Sequence, residues 1–371
     1  MDRRKFIKAI LAAGGLLGVA ELVEVIGPGG PPEETLVPTA TPTEEPPARP
    51  TIQPTPTQLV TTARMEQKES GMSRIALVKT ADRAEGVRKA ISLLGALPIR
   101  GKAVALKPNF NSADPAPGST HNDTLQAMVE ELKSLGARKI IVADRSGMGN
   151  TRAVMEQKGI FEMGRGLGFD VIVLDELKRE DWTPIKLEGS HWQDGLYVAG
   201  VYANAESVVQ TCCLKTHRFG GHFTLSLKNA VGMVARRVPG VDHDYMKEMH
   251  GSPYHRLMIA EINVAYKPDL IVMDAVEAFA DGGPDNGRRV RPETVLAGTD
   301  RIAIDAAGVA ILRKFGTTPE VSRGPIFKQE QIARAVELKL GIDSPQKIEF
   351  VTGDDESAQL AASIMDILRP G

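Results

Sequence analysis

The sequence predicts an α/β protein: a mainly parallel sheet covered by helices, with a small antiparallel excursion around residues 178–204. Three observations lead there. Short apolar, β-branched runs such as Val104-Ala105-Leu106 and Ile140-Ile141-Val142-Ala143 recur between stretches of helical spacing. Near-continuous apolar strands belong to a sheet buried on both faces. These strands run into polar turns, Lys107-Pro108-Asn109 and Asp144-Arg145-Ser146-Gly147. Between 178 and 204 the pattern changes, and Trp182, Trp192 and Tyr197 sit in alternating polar sequence, the period of half-buried antiparallel strands.

Taken in order, the chain divides into three parts. Residues 1–26 hold Arg3-Arg4-Lys5-Phe6-Ile7-Lys8 and then a Gly/Ala-rich apolar run. This is the pattern of a twin-arginine export signal or N-terminal anchor, which implies the twin-arginine translocase as a partner and an extracytoplasmic location, periplasmic or membrane-tethered. Residues 27–72 are rich in Pro, Thr and Glu and read as a disordered spacer, because they cannot bury a core. Residues 73–371 read as a single α/β domain.

Within that domain, strands are expected at 74–79, 102–106, 139–143 and 170–174, with helices at 84–94, 124–135, 151–158 and 161–167. Thr120 or Asn122 is a suitable N-cap for the second helix, and Gly136 stops it. A strand begins at 208 and a helical piece carries Thr224, Lys228 and Asn229. Residues 238–252 read as loop and 254–264 as helix. A strand at 269–274 ends on Asp274, and a Gly-rich loop at 281–287 leads to a strand at 293–296. Asp300 caps a helix at 301–315, with Asp305 on its surface face. A helix at 326–338, a strand at 347–351 and a helix at 358–368 complete the chain.

Composition narrows the function classes. Hydrophobic residues make up 42% and charged residues 25% of 371, with net charge -2, so there is no basic footprint for nucleic acid. Cys212 and Cys213 are the only cysteines; they read as buried thiols and provide neither a disulfide framework nor an iron–sulfur ligand set. No P-loop and no Gly-x-Gly-x-x-Gly turn is present, so a nucleotide cofactor has no motif to hold it.

The best candidate site is 208–234. Lys215, Thr216 and His217 fall where an apolar strand should end, Gly220 and Gly221 allow a tight turn, and Thr224, Lys228 and Asn229 follow. Ligands of open α/β sheets sit at the carboxyl ends of strands. Lys107, Lys215 and Lys228 would supply cations there. Asn109, Asn111 and Thr120 would supply hydrogen bonds, and the helix N-termini after Thr120 and Gly221 further N–H donors. The expected ligand is a small anion, a carboxylate or a phosphate. Lys215, His217 and Lys228 are the candidate catalytic residues, able to transfer a proton beside the anion. A divalent metal held by His217, Asp144 and Asp274 is a second reading. A non-catalytic anion- or metal-binding protein is the alternative to an enzyme.

Read together, Lys107-Pro108-Asn109, Lys215-Thr216-His217, Ser226-Leu227-Lys228-Asn229, Gly232 and Gly298-Thr299-Asp300 with Asp305-Ala306 resemble the prokaryotic family called domain of unknown function 362, over about residues 74–312. The resemblance implies an α/β fold and an unassigned enzymatic or redox role. It also implies association with ferredoxin-type iron–sulfur modules. This chain lacks such a module, so an iron–sulfur redox protein enters as an expected partner.

Overall fold

The structure is a computed structural model, and it describes residues 58–60 and 71–370. The signal at 1–26 and most of the spacer at 27–72 lie outside the described residues. The first strands and helices are β1 (Gln58–Val60), β2 (Ser73–Lys79), α1 (Arg83–Leu94), β3 (Ala103–Lys107), α2 (Asn122–Ser134), β4 (Lys139–Asp144), α3 (Thr151–Gln157), α4 (Ile160–Leu167) and β5 (Asp170–Val173). Next come β6 (Trp182–Leu187), β7 (Leu196–Ala199), α5 (Gly200–Ala203), β8 (Ser207–His217), β9 (His222–Thr224) and α6 (Ser226–Asn229). The remainder is α7 (Tyr245–Gly251), α8 (His255–Ile262), β10 (Pro268–Gly282), β11 (Gly287–Val290), β12 (Thr294–Gly298), α9 (Arg301–Lys314), α10 (Pro319–Ser322), α11 (Glu330–Glu337), β13 (Ile348–Val351) and α12 (Asp355–Leu368).

The large sheet has the order β13-β2-β12-β10-β8-β3-β4-β5, with β9 added to β8 and β11 to β10. Along that order only β12 runs against its neighbours. Alternate residues of each strand enter opposite cores. Ile75 and Leu77 belong to one and Ala76 and Val78 to the other, as the period of two requires. Both faces are thus buried, which is why the strands read as continuous apolar runs. Residues 182–199 form the expected antiparallel pair β6–β7 in a separate small sheet. Cys212 and Cys213 are free and buried in β8.

The strand order fixes where a site can form. From β3 the chain steps outward through β4 and β5 on one side, whereas β8 and β10 extend the sheet on the other. The carboxyl ends of β3 and β8 therefore flank a switch point, the crevice in which open α/β sheets bind ligands. Lys107 ends β3, and His217 ends β8, seven residues beyond Gln210, the partner of Lys107.

Several expectations are corrected. The strand through Asp274 does not stop there: β10 is 15 residues long and runs on to Gly282, because Ala275-Val276 and Ala278-Phe279-Ala280 keep it apolar and buried. The piece expected to be helical from Thr224 opens as β9, a hairpin back onto β8 that pairs Lys215 with Thr224 and His217 with His222. Thr224 and Lys228 thus share no helix face, and no helix begins directly after Gly221. Residues 245–251, read as loop, are α7, capped by Asp244. The N-cap of α2 is His121 rather than Thr120 or Asn122. The helix expected at 326–338 is a 3-10 turn followed by α11. Asp300 caps α9 as expected, but Asp305 is fully buried. Gln58–Val60, placed in the spacer by composition, form a strand parallel to β6.

Candidate functional site

The turns after β3, β4 and β8, together with α6 and α7, enclose a cleft of about 640 Å³. Lys107, Asn109, Asn111, Asp144, Lys215, His217, Thr224, Lys228 and Asn229, all expected at the site, line it. Thr120, Thr216, Gly220, Gly221 and Asp274 are not part of its wall.

Lys107 and Asp144 form a fully buried pair, Nζ to Oδ1 at 2.6 Å. Lys107 also donates to the Pro108 carbonyl at 2.6 Å and to Asn229 Oδ1 at 3.3 Å. Asp144 accepts the backbone N–H groups of Phe110 and Arg145, each at 2.7 Å. Burial opposes charge on both partners, pushing the lysine pKa down and the carboxyl pKa up, and their mutual attraction offsets part of this. Gly232 is what lets them meet: a Cβ there would lie 2.6 Å from Asp144 Oδ1 and 2.7 Å from Lys107 Nζ.

Lys215 is also fully buried, and its ammonium is saturated. Nζ donates to Asn109 Oδ1 at 2.8 Å, to the Pro117 carbonyl at 3.0 Å and to the Gly118 carbonyl. Three donors on three neutral acceptors hold the 108–118 turn against β8. Burial lowers its pKa. Thr120 reinforces the same turn: its hydroxyl accepts the Asn109 N–H at 2.8 Å. Thr216 bonds sideways to the Phe279 carbonyl at 3.1 Å and joins β8 to β10.

Lys228 is different. It is 8% exposed, lies on α6, and has neither a hydrogen-bonding nor an ion-paired partner among the described residues. Burial, and then the neighbouring Lys215 and Arg145 charges, bring its pKa down to about 7. A Cβ on Gly221 would lie 2.8 Å from both Lys228 Cε and His217 Nδ1, so the glycine allows the two side chains to close around the turn. Desolvation, followed by the Lys228 charge, holds the His217 pKa well below its usual value. The imidazole is therefore neutral, and its Nδ1 is a buried atom without a partner among the described residues. Asn111 Nδ2 and Thr224 Oγ1, also on the cleft wall, are unpartnered too.

The α6 turn that carries Lys228 is fixed from α9. Asp305 accepts the Ser226 N–H at 2.8 Å, the Leu227 N–H at 3.2 Å and the Ser226 hydroxyl. Burial raises its pKa to about 7. The carboxylate thus supplies the N-terminal cap that a four-residue helix cannot provide for itself.

The metal set His217, Asp144 and Asp274 is not brought together. Asp274 lies in the core beside α1 and α2, accepting from Arg83 Nε at 2.9 Å and from the Thr124 hydroxyl at 2.8 Å. Both oxygens of Asp144 are already engaged, as described above. Three histidines do gather near Lys228, because His250 packs on His255 with ring centroids 4.9 Å apart. Burial depresses both, His255 to about 3.

Sequence reasoning missed Arg145, Met246 and Lys247 as cleft residues. Arg145 is buried, donating to the Val231 and Val234 carbonyls at 2.9 Å each. The other two lie, with His250, on α7. Its signal was present: Asp244 in N-cap position, followed by Tyr245, Met246 and Met249 at helical spacing.

The fold and the site together define an α/β protein with a cation-rich cleft at the switch point of a mainly parallel sheet. The family model described as domain of unknown function 362 matches residues 104–310, more than half of the chain, and the chain belongs to that family. No curated protein matches it.

Proposed function

We propose that the cleft binds a small anionic substrate, a carboxylate or a phosphate, and that Lys228 exchanges a proton with it. The observation that carries this reading is the unpartnered state of Lys228. A buried ammonium is normally paired or neutralised, and this one stands beside two further buried cations, Lys215 and Arg145, with no carboxylate among the described residues bonded to any of the three. An anion would supply the missing charge. Asn111 Nδ2, Thr224 Oγ1 and His217 Nδ1 are unpartnered hydrogen-bonding atoms in the same wall. A lysine titrating near neutrality is suited to general acid–base catalysis. Lys107 and Lys215, whose donors are all engaged, serve to hold the strand-end turns. The Arg3-Arg4 pattern supports an extracytoplasmic site of action.

Titration calorimetry of the full chain with acetate and with inorganic phosphate tests this. Binding is expected at pH 6, to weaken above pH 7 as Lys228 loses its proton, and to be lost in Lys228→Met. Affinity that is independent of pH and unchanged in Lys228→Met would falsify the reading.

A further inference from the structure

We infer that the anion recognised in this cleft is carried on an apolar body, an acyl or aryl chain, with its charged head at Lys228 and its apolar part against Phe219 and Met148. This rests on the anion-binding reading above and specifies its substrate class.

Three observations carry it. The first is size. A volume of about 640 Å³ falls within the range of about 300–1,000 Å³ typical of pockets for drug-sized ligands, far more than acetate or phosphate fills. The second is the distribution of surface. The large apolar side chains exposed among the described residues are Met72, Met148, Phe219 and Tyr254. Two of these, Met148 at 39% and Phe219 at 51% exposed, line this one cleft. A lone exposed apolar residue needs no explanation, but two on the wall of one concave site do. Phe110, Val231, Met246 and Pro284 extend the apolar lining.

The third is that the aromatic wall is braced. The Phe219 ring lies under the Arg218 guanidinium at 4.4 Å and meets the His217 ring edge-on at 5.7 Å. Arg218 is itself fixed by an ion pair to Asp285 at 2.7 Å and by donation to the Gly283 carbonyl at 2.9 Å. The same tether holds Pro284 at the cleft. Phe219 is therefore a held surface next to His217, and one ligand can touch both the polar and the apolar part of the wall.

The test is titration of the full chain at pH 6 with acetate, butanoate, hexanoate and octanoate, with the matching alkyl phosphates, and with 1-hexanol as the uncharged control. The expected result is a gain of about fourfold in affinity per methylene. The gain per methylene should shrink in Phe219→Ser, a substitution at an exposed position that leaves the core intact, and again in Met148→Ser. Hexanol should bind far more weakly than hexanoate, and the carboxylate and phosphate series identify the preferred head. If acetate binds through Lys228 but affinity does not grow with chain length, the apolar-body inference is overturned and the anion site stands. If hexanoate binds Lys228→Met as well as wild type, or no member of either the carboxylate or the phosphate series binds at all, the anion site falls and the inference with it.

Discussion

Lys215 and Lys228 are buried lysines of one strand–hairpin–helix stretch, and the protein treats them in opposite ways. Lys215 sits at the end of β8 with each ammonium proton given to a neutral acceptor in the 108–118 turn. Lys228, thirteen residues later, is given none. Both lose charge stability to burial, but for Lys215 hydrogen bonds offset that loss within the protein. For Lys228 the offset must come from a ligand or from deprotonation. A lysine in a cleft is thus no evidence of catalysis until its protons are accounted for, and the unsatisfied one is where function is to be sought.

The contrast can be broken most directly at Lys215. Lys215→Met should leave Asn109 Oδ1 and two carbonyls buried and unpaired, and should cost about 3–5 kcal/mol. Urea denaturation measures this, and a loss below 1 kcal/mol would mean the turn does not depend on the ammonium.

Lys228 makes the opposite prediction. Its folded pKa of about 7 lies below the unfolded value of 10.5, so between these pH values the unfolded chain binds more protons. Stability should rise with pH across that window, by up to about 1.4 kcal/mol per unit, and be lowest below pH 7. Lys228→Met should remove this contribution and be more stable than wild type at pH 6. A pH–stability profile with the same slope in both proteins would contradict the assignment.

Gly232→Ala sharpens the comparison on the paired side. Its Cβ would collide with Lys107 and Asp144, and a cost of about 1–2 kcal/mol is expected from overpacking. Chemical denaturation at pH 7 reads it out. Gly221→Ala should cost the least stability, because its Cβ would meet the movable Lys228 Cε besides the His217 ring. It should instead weaken acetate binding several-fold by parting Lys228 from His217, which calorimetry can separate from any loss of fold.

Much of the architecture was legible because apolar runs and their bounding turns report burial directly. The β3 and β4 strands, the α1 helix and the Asp300 cap follow from local pattern alone. What was not legible depended on partners distant in sequence. Asp274 resembles a strand-end carboxylate until Arg83 and Thr124 are found beside it, 191 and 150 residues away. Asp305 reads as a surface residue of α9 because nothing local reveals that it caps α6. The β9 hairpin reads as helix because Thr224 and Lys228 have helical spacing, and nothing local distinguishes a Gly220-Gly221 pair that turns the strand back from one that leads into a helix. Of the candidate site, nine residues of the cleft wall are legible in the sequence, but their division into saturated and unsatisfied groups is set by partners such as Asn109 and Pro117, about a hundred residues from Lys215.

The short strand β1 has a consequence for how the chain can be cut. It occupies one side of β6, pairing Gln58 with Ile185 and Val60 with Leu187, while β7 occupies the other. Without residues 58–60, a row of main-chain donors and acceptors on β6 would lie open, the kind of edge along which copies of a protein add to one another. A chain starting near residue 71, where composition alone would place the domain boundary, should therefore self-associate more readily than one starting before residue 58. Light scattering of the two at equal concentration would reveal the difference.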